Sequence, residues 1–267
     1  MAEARGRVLI IAGSDSSGGA GMQADLKTVT ALGGYGAAAV TAITVQDSFG
    51  VHEIHRLAPA LVESQARAVL DDIGADAIKT GMLGCREVVE AVARLLDSAP
   101  GIPAVVDPVM LAKGGASLLD ADAVDALRTL LLPRCALLTP NAPEAEALTG
   151  FAIGATDDLR RAGEALLALG AGAVLMKGGH VPGDTVTDVL ITAASETTFA
   201  GPRIGGGQRH GTGCTLASAC ATGLAQGMSL QAAAARAWAY AGEAMRGAHA
   251  FGAGHRLLDH GWPLRGR

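Results

Sequence analysis

The sequence predicts an α/β fold with a mostly parallel sheet covered by helices on both faces. Three observations carry that expectation. Short apolar runs rich in Val, Ile and Leu alternate with amphipathic helical patterns about six times, the arrangement that builds a parallel sheet. The residues with chemical potential fall where those runs end, which is where open α/β sheets bind ligands. No repeat, low-complexity linker or composition shift divides the 267 residues, so 1–267 is expected to form one domain.

Residues 7–12 form an apolar run ending in glycine, a buried first strand. Gly13-Ser14-Asp15-Ser16-Ser17-Gly18-Gly19-Ala20-Gly21 follows as a small-residue loop, then a helix over 22–32 closed by Gly33-Gly34. One strand is expected over 36–45, left by Gln46-Asp47, with 51–56 as an edge or lid strand. Helices over 59–73, 86–96 and 121–132 alternate with strands over 77–79, 103–106 and 136–138, and 110–115 is a loop. Helices over 144–148 and 159–169, a strand over 173–176 and a hairpin over 185–191 and 197–200 come next. Two alanine-rich helices, 215–226 and 230–248, end the chain, the second N-capped by Ser229.

Composition removes several function classes. Hydrophobic residues make up 49% and charged residues 18%, which excludes a disordered chain. Aromatics are 3%, too few for a base-stacking surface, and a net charge of -5 without a basic run argues against a nucleic-acid partner. No stretch approaches the ~18–20 apolar residues of a membrane span. VLIIAG after Arg5 and Arg7 is too short for a signal segment and fits a strand. Cys85, Cys135, Cys214 and Cys220 match no zinc or redox spacing and read as free thiols, so a cytoplasmic location is expected.

The phosphate-binding candidate is His210-Gly211-Thr212-Gly213-Cys214-Thr215. A glycine turn feeding a helix start offers unpaired N–H groups and a positive dipole end to an anion. The same position lowers the pKa of a thiol, which makes Cys214 a candidate base or nucleophile. The competing reading is a plain turn before a buried helix. Neither the P-loop pattern nor G-x-G-x-x-G occurs, which weakens P-loop enzymes and dinucleotide dehydrogenases. Lys177, at a strand end before two glycines, can place a charge on a phosphate. Asp107, at another strand end, can hold Mg²⁺ directly or through water, and Glu144 with Asn141 can serve the same ion or simply cap a helix. Asp25 lies early in the first helix and can face the glycine loop. Gln46 offers donors and an acceptor to a ring with adjacent amino and ring nitrogens.

The blocks AGSDSSGGAGMQADLKT, ITVQDS, KTGML, DPVMLAKGG, LLTPNAPEAEAL, VLMKGGH and HGTGCTLAS occur in order over nearly the whole chain. With them the sequence resembles the hydroxymethylpyrimidine/phosphomethylpyrimidine kinase family of thiamine biosynthesis, within the ribokinase-like superfamily. The resemblance implies a three-layer α/β/α sandwich with a mostly parallel central sheet. It implies phosphorylation of 4-amino-5-hydroxymethyl-2-methylpyrimidine and then of the monophosphate, using ATP and Mg²⁺, with pyridoxal or pyridoxine phosphorylation as the alternative. Gly211, Thr212 and Gly213 would form the anion hole, and Cys214 would stand where sugar kinases carry an aspartate base. Lys177, Thr212 and Asn141 would contact the nucleotide, and Asp107 and Glu144 the metal. Gln46 would read the aminopyrimidine edge and Asp25 the hydroxymethyl group. Gly13, Ala20, Met82 and Val109 would line the ring pocket, and Lys113 would ride on a closing loop. Two departures stand out. Gly205–Gly207 predicts a mobile approach to the phosphate turn, with Arg209 adding charge near the nucleotide, and Thr44 takes a ring-side place often held by an aliphatic residue. Relatives of this kind are commonly dimers, so a homodimer is expected.

Overall fold

The computed structural model describes residues 6–112, 115 and 117–265. Lys113 therefore lies outside the described residues. The chain runs β1 (Arg7–Ala12), α1 (Gly21–Ala31), β2 (Tyr35–Val40), β3 (Ala42–Gln46), β4 (Val51–Arg56), α2 (Pro59–Asp72), β5 (Ala77–Thr80), α3 (Arg86–Ser98) and β6 (Ala104–Val106). It continues with α4 (Ala121–Ala126), β7 (Leu137–Leu138), α5 (Ala142–Thr149), α6 (Thr156–Ala168), β8 (Ala173–Met176), β9 (Thr185–Thr192) and β10 (Glu196–Pro202). Short β11 (Arg209–His210), α7 (Thr212–Ala225), α8 (Leu230–Arg246) and β12 (Arg256–Leu257) complete it.

The central sheet has the order β10-β9-β8-β7-β6-β5-β1-β2. Strands β2, β1, β5, β6, β7 and β8 are mutually parallel, and the predicted hairpin joins as the antiparallel β9–β10 edge. Strand pleat splits the core in two. Val8, Ile10 and Ala12 face α7 and α8 residues such as Leu216, Ala217, Ala237 and Tyr240. Leu9 and Ile11 face the layer of α2, α3 and α6, with Val92, Leu95 and Leu166. This is the expected α/β/α sandwich.

Two expected elements come out differently. The strand over 36–45 is two strands broken at Thr41, whose side chain donates to the Met82 carbonyl at 2.6 Å and whose N–H donates to Ala12 at 3.0 Å. Beyond the break, β3 leaves the sheet and pairs antiparallel with β4 as a separate flap. The helix over 121–132 is regular only to Ala126, then loosens into a π-turn over Leu127–Leu131 and a 3₁₀ turn over Leu132–Arg134. Pro133 has no N–H and its ring crowds the preceding turn, so the α pattern cannot continue through it. Ser229 does cap α8, accepting from the Ala232 N–H at 3.3 Å.

Candidate active site

With β1, β5, β6, β7 and β8 parallel, their carboxyl ends share one sheet edge. A cavity of about 1020 Å³ opens there. Gly13, Ala20, Thr44, Gln46, Met82 and Val109 line one part, and Asp107, Asn141, Glu144, Lys177 and Gly211–Cys214 line the centre. Trp238, Ala241 and Met245 of α8 line the rest. Such a volume exceeds that of most single small-ligand sites and suits two ligands placed end to end.

The candidate phosphate turn opens α7. Gly211 is its N-cap at φ +84, and the Thr215 N–H donates back to the Gly211 carbonyl at 3.0 Å. The helix thus starts at Thr212, three residues before the expected 215, and Cys214 sits inside its first turn. The N–H groups of that turn have no intrahelical acceptor and belong to residues that line the cavity. Left-handed backbone favours glycine, and a Cβ at Gly211 would lie 1.8 Å from the Gly19 carbonyl oxygen. Gly211→Ala is therefore expected to lose at least about 2 kcal/mol by urea unfolding, together with ATP affinity.

Lys177, Asp107 and Glu144 meet against this turn. Lys177 Nζ lies 3.0 Å from Asp107 Oδ1 and 3.7 Å from Glu144 Oε2, and 3.1 Å from where a Cβ on Gly213 would stand. Glu144 also completes a capping box: its carboxylate accepts from the Asn141 N–H at 2.8 Å, and its own N–H donates to Asn141 Oδ1 at 2.9 Å. Glu144 thus caps α5 and lines the cavity at once. Burial pushes the Glu144 carboxyl up to about 7, with Lys177 opposing and Asp107 adding to the rise. Burial works against the Lys177 ammonium, but Asp107 and Glu144 more than reverse it and hold Lys177 protonated. Two carboxylates sharing one lysine leave an excess of oxygen donors.

Cys214 departs from expectation. Burial pushes its thiol up to about 12; the Lys79 ammonium lowers it, while Asp25 and Asp107 raise it. Cys214 is half-buried on the cavity wall, and its desolvation works against the lowering expected of a helix start.

Asp25 stands apart from the other substrate-side residues. It is wholly buried, and it is Lys79 beside it that reaches the cavity wall. Asp25 Oδ2 pairs with Lys79 Nζ at 2.7 Å and Oδ1 accepts from Ser218 at 2.7 Å, so its role reaches the cavity through Lys79. Lys79, a lysine inside the apolar strand AIKT, was not singled out from sequence; a charge in a buried strand signals a buried partner. Thr44 donates its hydroxyl to the Ser14 carbonyl at 2.8 Å, so it anchors the glycine loop as well as lining the ring wall.

Asp15 is the other residue sequence reasoning passed over. Its Oδ2 accepts from the Gly19 and Ala20 N–H groups at 3.1 and 2.7 Å and contacts His210 Nε2 at 3.1 Å. Its Oδ1 accepts from the Ser17 N–H and hydroxyl. One carboxylate thus shapes the glycine loop and ties it to the residue before the phosphate turn. Burial alone would raise Asp15, but His210, Ser17, Gln46 and the Ala20 N–H hold it well below the usual carboxylate range. A depressed folded pKa gives stability that is present above the unfolded value near ~3.9 and lost as pH falls. Asp15→Asn is expected to cost about 1.5–3 kcal/mol at neutral pH, and the gap to wild type in urea melts should narrow towards about pH 3.

A family model for phosphomethylpyrimidine kinase matches residues 15–259. The chain is 48% identical to a hydroxymethylpyrimidine/phosphomethylpyrimidine kinase of Streptomyces coelicolor, over 96% of this chain and 95% of that one. It is 50% identical to a thiamine biosynthesis bifunctional protein of Geobacter sulfurreducens, covering 96% of this chain but 52% of the relative, about half its length. Among solved structures, a Staphylococcus aureus pyridoxal kinase complexed with AMP-PCP and pyridoxal superposes with a TM-score of 0.90 at 34% identity, covering 97% and 95% of the two chains. A Clostridium difficile phosphomethylpyrimidine kinase gives 0.80 at 40% identity, covering 90% and 99%. The chain belongs to the phosphomethylpyrimidine kinase family, on a ribokinase-like fold.

Proposed function

We propose that this chain transfers the γ-phosphoryl group of ATP to the hydroxymethyl oxygen of 4-amino-5-hydroxymethyl-2-methylpyrimidine, and then phosphorylates the monophosphate to the pyrophosphate, in thiamine biosynthesis. The observation that carries it is the placement of the Gly211–Cys214 turn and Lys177 at the centre of one cavity, between the Gln46 wall and the α8 wall. The pyrimidine lies against Gly13, Ala20, Thr44, Met82 and Val109, with Gln46 reading its amino edge. ATP lies along the other wall, its terminal phosphates on the Thr212 and Gly213 N–H groups and Lys177, near Asn141.

In the first step the hydroxymethyl oxygen bonds to the γ-phosphorus as the bridging oxygen leaves with ADP. Cys214 takes the hydroxyl proton as thiolate: its own proton first passes to solvent, and the proton of the hydroxymethyl group restores the thiol late in the transfer, where a loose phosphoryl transition state demands little base strength. In the second step the nucleophile is a phosphate oxygen that carries no such proton. Asp107 and Glu144 fit Mg²⁺, a hard cation that takes one or two carboxylates plus water and phosphate oxygens. When bound, the ion would neutralise phosphate charge and fix its orientation.

A coupled ATP-turnover assay with the hydroxymethylpyrimidine and its monophosphate tests the reading; turnover of neither would refute it. A pyridoxal kinase activity, alone or second, is the alternative, favoured by the 0.90 superposition on the pyridoxal complex. Comparing kcat/KM for the two rings decides between them.

We further infer a cytoplasmic homodimer without a nucleic-acid partner. All four cysteines are free, and no helix among the described residues is long and apolar enough to cross a membrane. Ile43, Val45 and Phe49 lie 47%, 52% and 62% exposed on the flap, an apolar surface suited to a second copy. Sedimentation of wild type and of Val45→Lys tests the dimer.

A further inference from the structure

The segment from β10 to the phosphate turn contains Gly205-Gly206-Gly207, and Gly206 and Gly207 both stand at φ +94. Three successive glycines have the most backbone freedom to lose on ordering. Sequence alone predicts a mobile lead with a charge beside it. The structure turns that charge inward. Arg209 Nε donates to the Met245 carbonyl of α8 at 2.8 Å, Nη1 to Ile204 at 3.0 Å and Gly207 at 3.1 Å, and Nη2 to Gly205 at 2.5 Å. The guanidinium fork fills the concave side of the glycine segment and bolts it to α8. A second tie lies beside it: the Arg256 N–H donates to the Gln208 carbonyl at 3.0 Å, where β11 pairs with β12. Only a planar group with five donors in a fixed fork spans carbonyls spread this way; an ammonium offers one point.

Ile204, Gly207 and Arg209 line the same cavity as Gly201, Trp238 and Met245. Trp238 stacks on Phe199 of β10, at the opposite end of the sheet order from β1, whose loop builds the ring wall. A ligand whose phosphates sit on the Gly211 turn, with the acceptor on the β1 side, must extend its nucleoside along this wall.

We propose that Arg209 is a positioning residue for the nucleotide: it holds residues 204–208, with Gly206 and Gly207 in the left-handed region, in the arrangement that receives the nucleoside of ATP. The proposal rests on the reading that ATP is the donor. It acts through the loop backbone and touches no reacting atom.

The full chain, as wild type, Arg209→Met and Arg209→Lys, is titrated calorimetrically with AMP-PCP and assayed for turnover. Arg209→Met is expected to raise both the AMP-PCP Kd and the ATP KM about tenfold, with the pyrimidine KM and kcat at saturating ATP changed less than about twofold. Arg209→Lys should still show about a threefold loss, and it carries the test if the methionine variant does not fold. Unchanged AMP-PCP affinity in these variants overturns the proposal, and so does an equal loss in both KM values and kcat, which marks general loosening. The titration needs no acceptor. Absent pyrimidine turnover with the Arg209 effect on AMP-PCP intact would overturn the acceptor reading alone and support this one. A wild type that binds no AMP-PCP overturns both.

Discussion

Cys214→Ala is expected to lower kcat for the hydroxymethylpyrimidine about 10²–10⁴-fold, the usual worth of a positioned proton acceptor, while AMP-PCP affinity stays within about twofold. The split between binding and turnover follows from geometry. The proposed phosphate turn is made of backbone N–H groups that alanine leaves in place, whereas alanine removes the sulfur that, as thiolate, would take the hydroxyl proton. The loss should be smaller for the second phosphorylation. A phosphomonoester has its second pKa near ~6 and is already a dianion at neutral pH, so its oxygen needs no base. Equal losses in both steps would mean that Cys214 shapes the site rather than accepts a proton. The protonation state of the free enzyme is checked separately. With burial pushing the thiol up to about 12, alkylation of the Cys214 peptide by iodoacetamide should keep rising from about pH 6 to about pH 9. A plateau near neutrality would show the helix start to prevail over desolvation.

Lys79→Met is expected to destabilise the protein by about 3–5 kcal/mol in urea, because it leaves the buried Asp25 carboxylate without its partner. Lys79 and Asp25 are both wholly buried, and the pair packs between β5 and α7 through Ser218. Removing both charges is a different experiment. Lys79→Met combined with Asp25→Leu should recover about half or more of the loss, since two apolar side chains need no compensation. Activity should not return with stability, because the Lys79 ammonium is the neighbour that draws the Cys214 thiol downwards. A single-variant cost under about 1 kcal/mol would mean that the pair is solvated.

The site was legible where local sequence and sheet direction coincide. Asp107, Asn141 and Lys177 each end an apolar run, and parallel strands bring such ends to one edge without further information. Glu144 was legible as a cap three residues after Asn141, and the capping box is what points its carboxylate at Lys177. What stayed hidden depends on distant pairing. Asp15 and His210 are 195 residues apart, Asp25 and Lys79 are 54 apart, and no local pattern joins them. The break at Thr41 was hidden for the same reason: AVTAITV reads as one β-branched run, and only its bonds to Ala12 and Met82 divide it. The upward push on the Cys214 thiol was hidden because a helix start can be read from sequence but its desolvation by the fold cannot. The ties of the Gly205–Arg209 lead were hidden for a related reason, since glycine content signals freedom while the acceptors that hold Arg209 lie partly on α8.

The central claim is that one cavity holds the acceptor on the Gln46 side and ATP on the Trp238 side, meeting over the Gly211–Cys214 turn. A crystal structure of the ternary complex with the hydroxymethylpyrimidine and AMP-PCP tests it most directly. The predicted result places the hydroxymethyl oxygen between Cys214 sulfur and the terminal phosphate, within hydrogen-bond reach of the sulfur, with the phosphate on the Thr212 and Gly213 N–H groups. A pyrimidine seated against Trp238, or phosphates away from that turn, would contradict it.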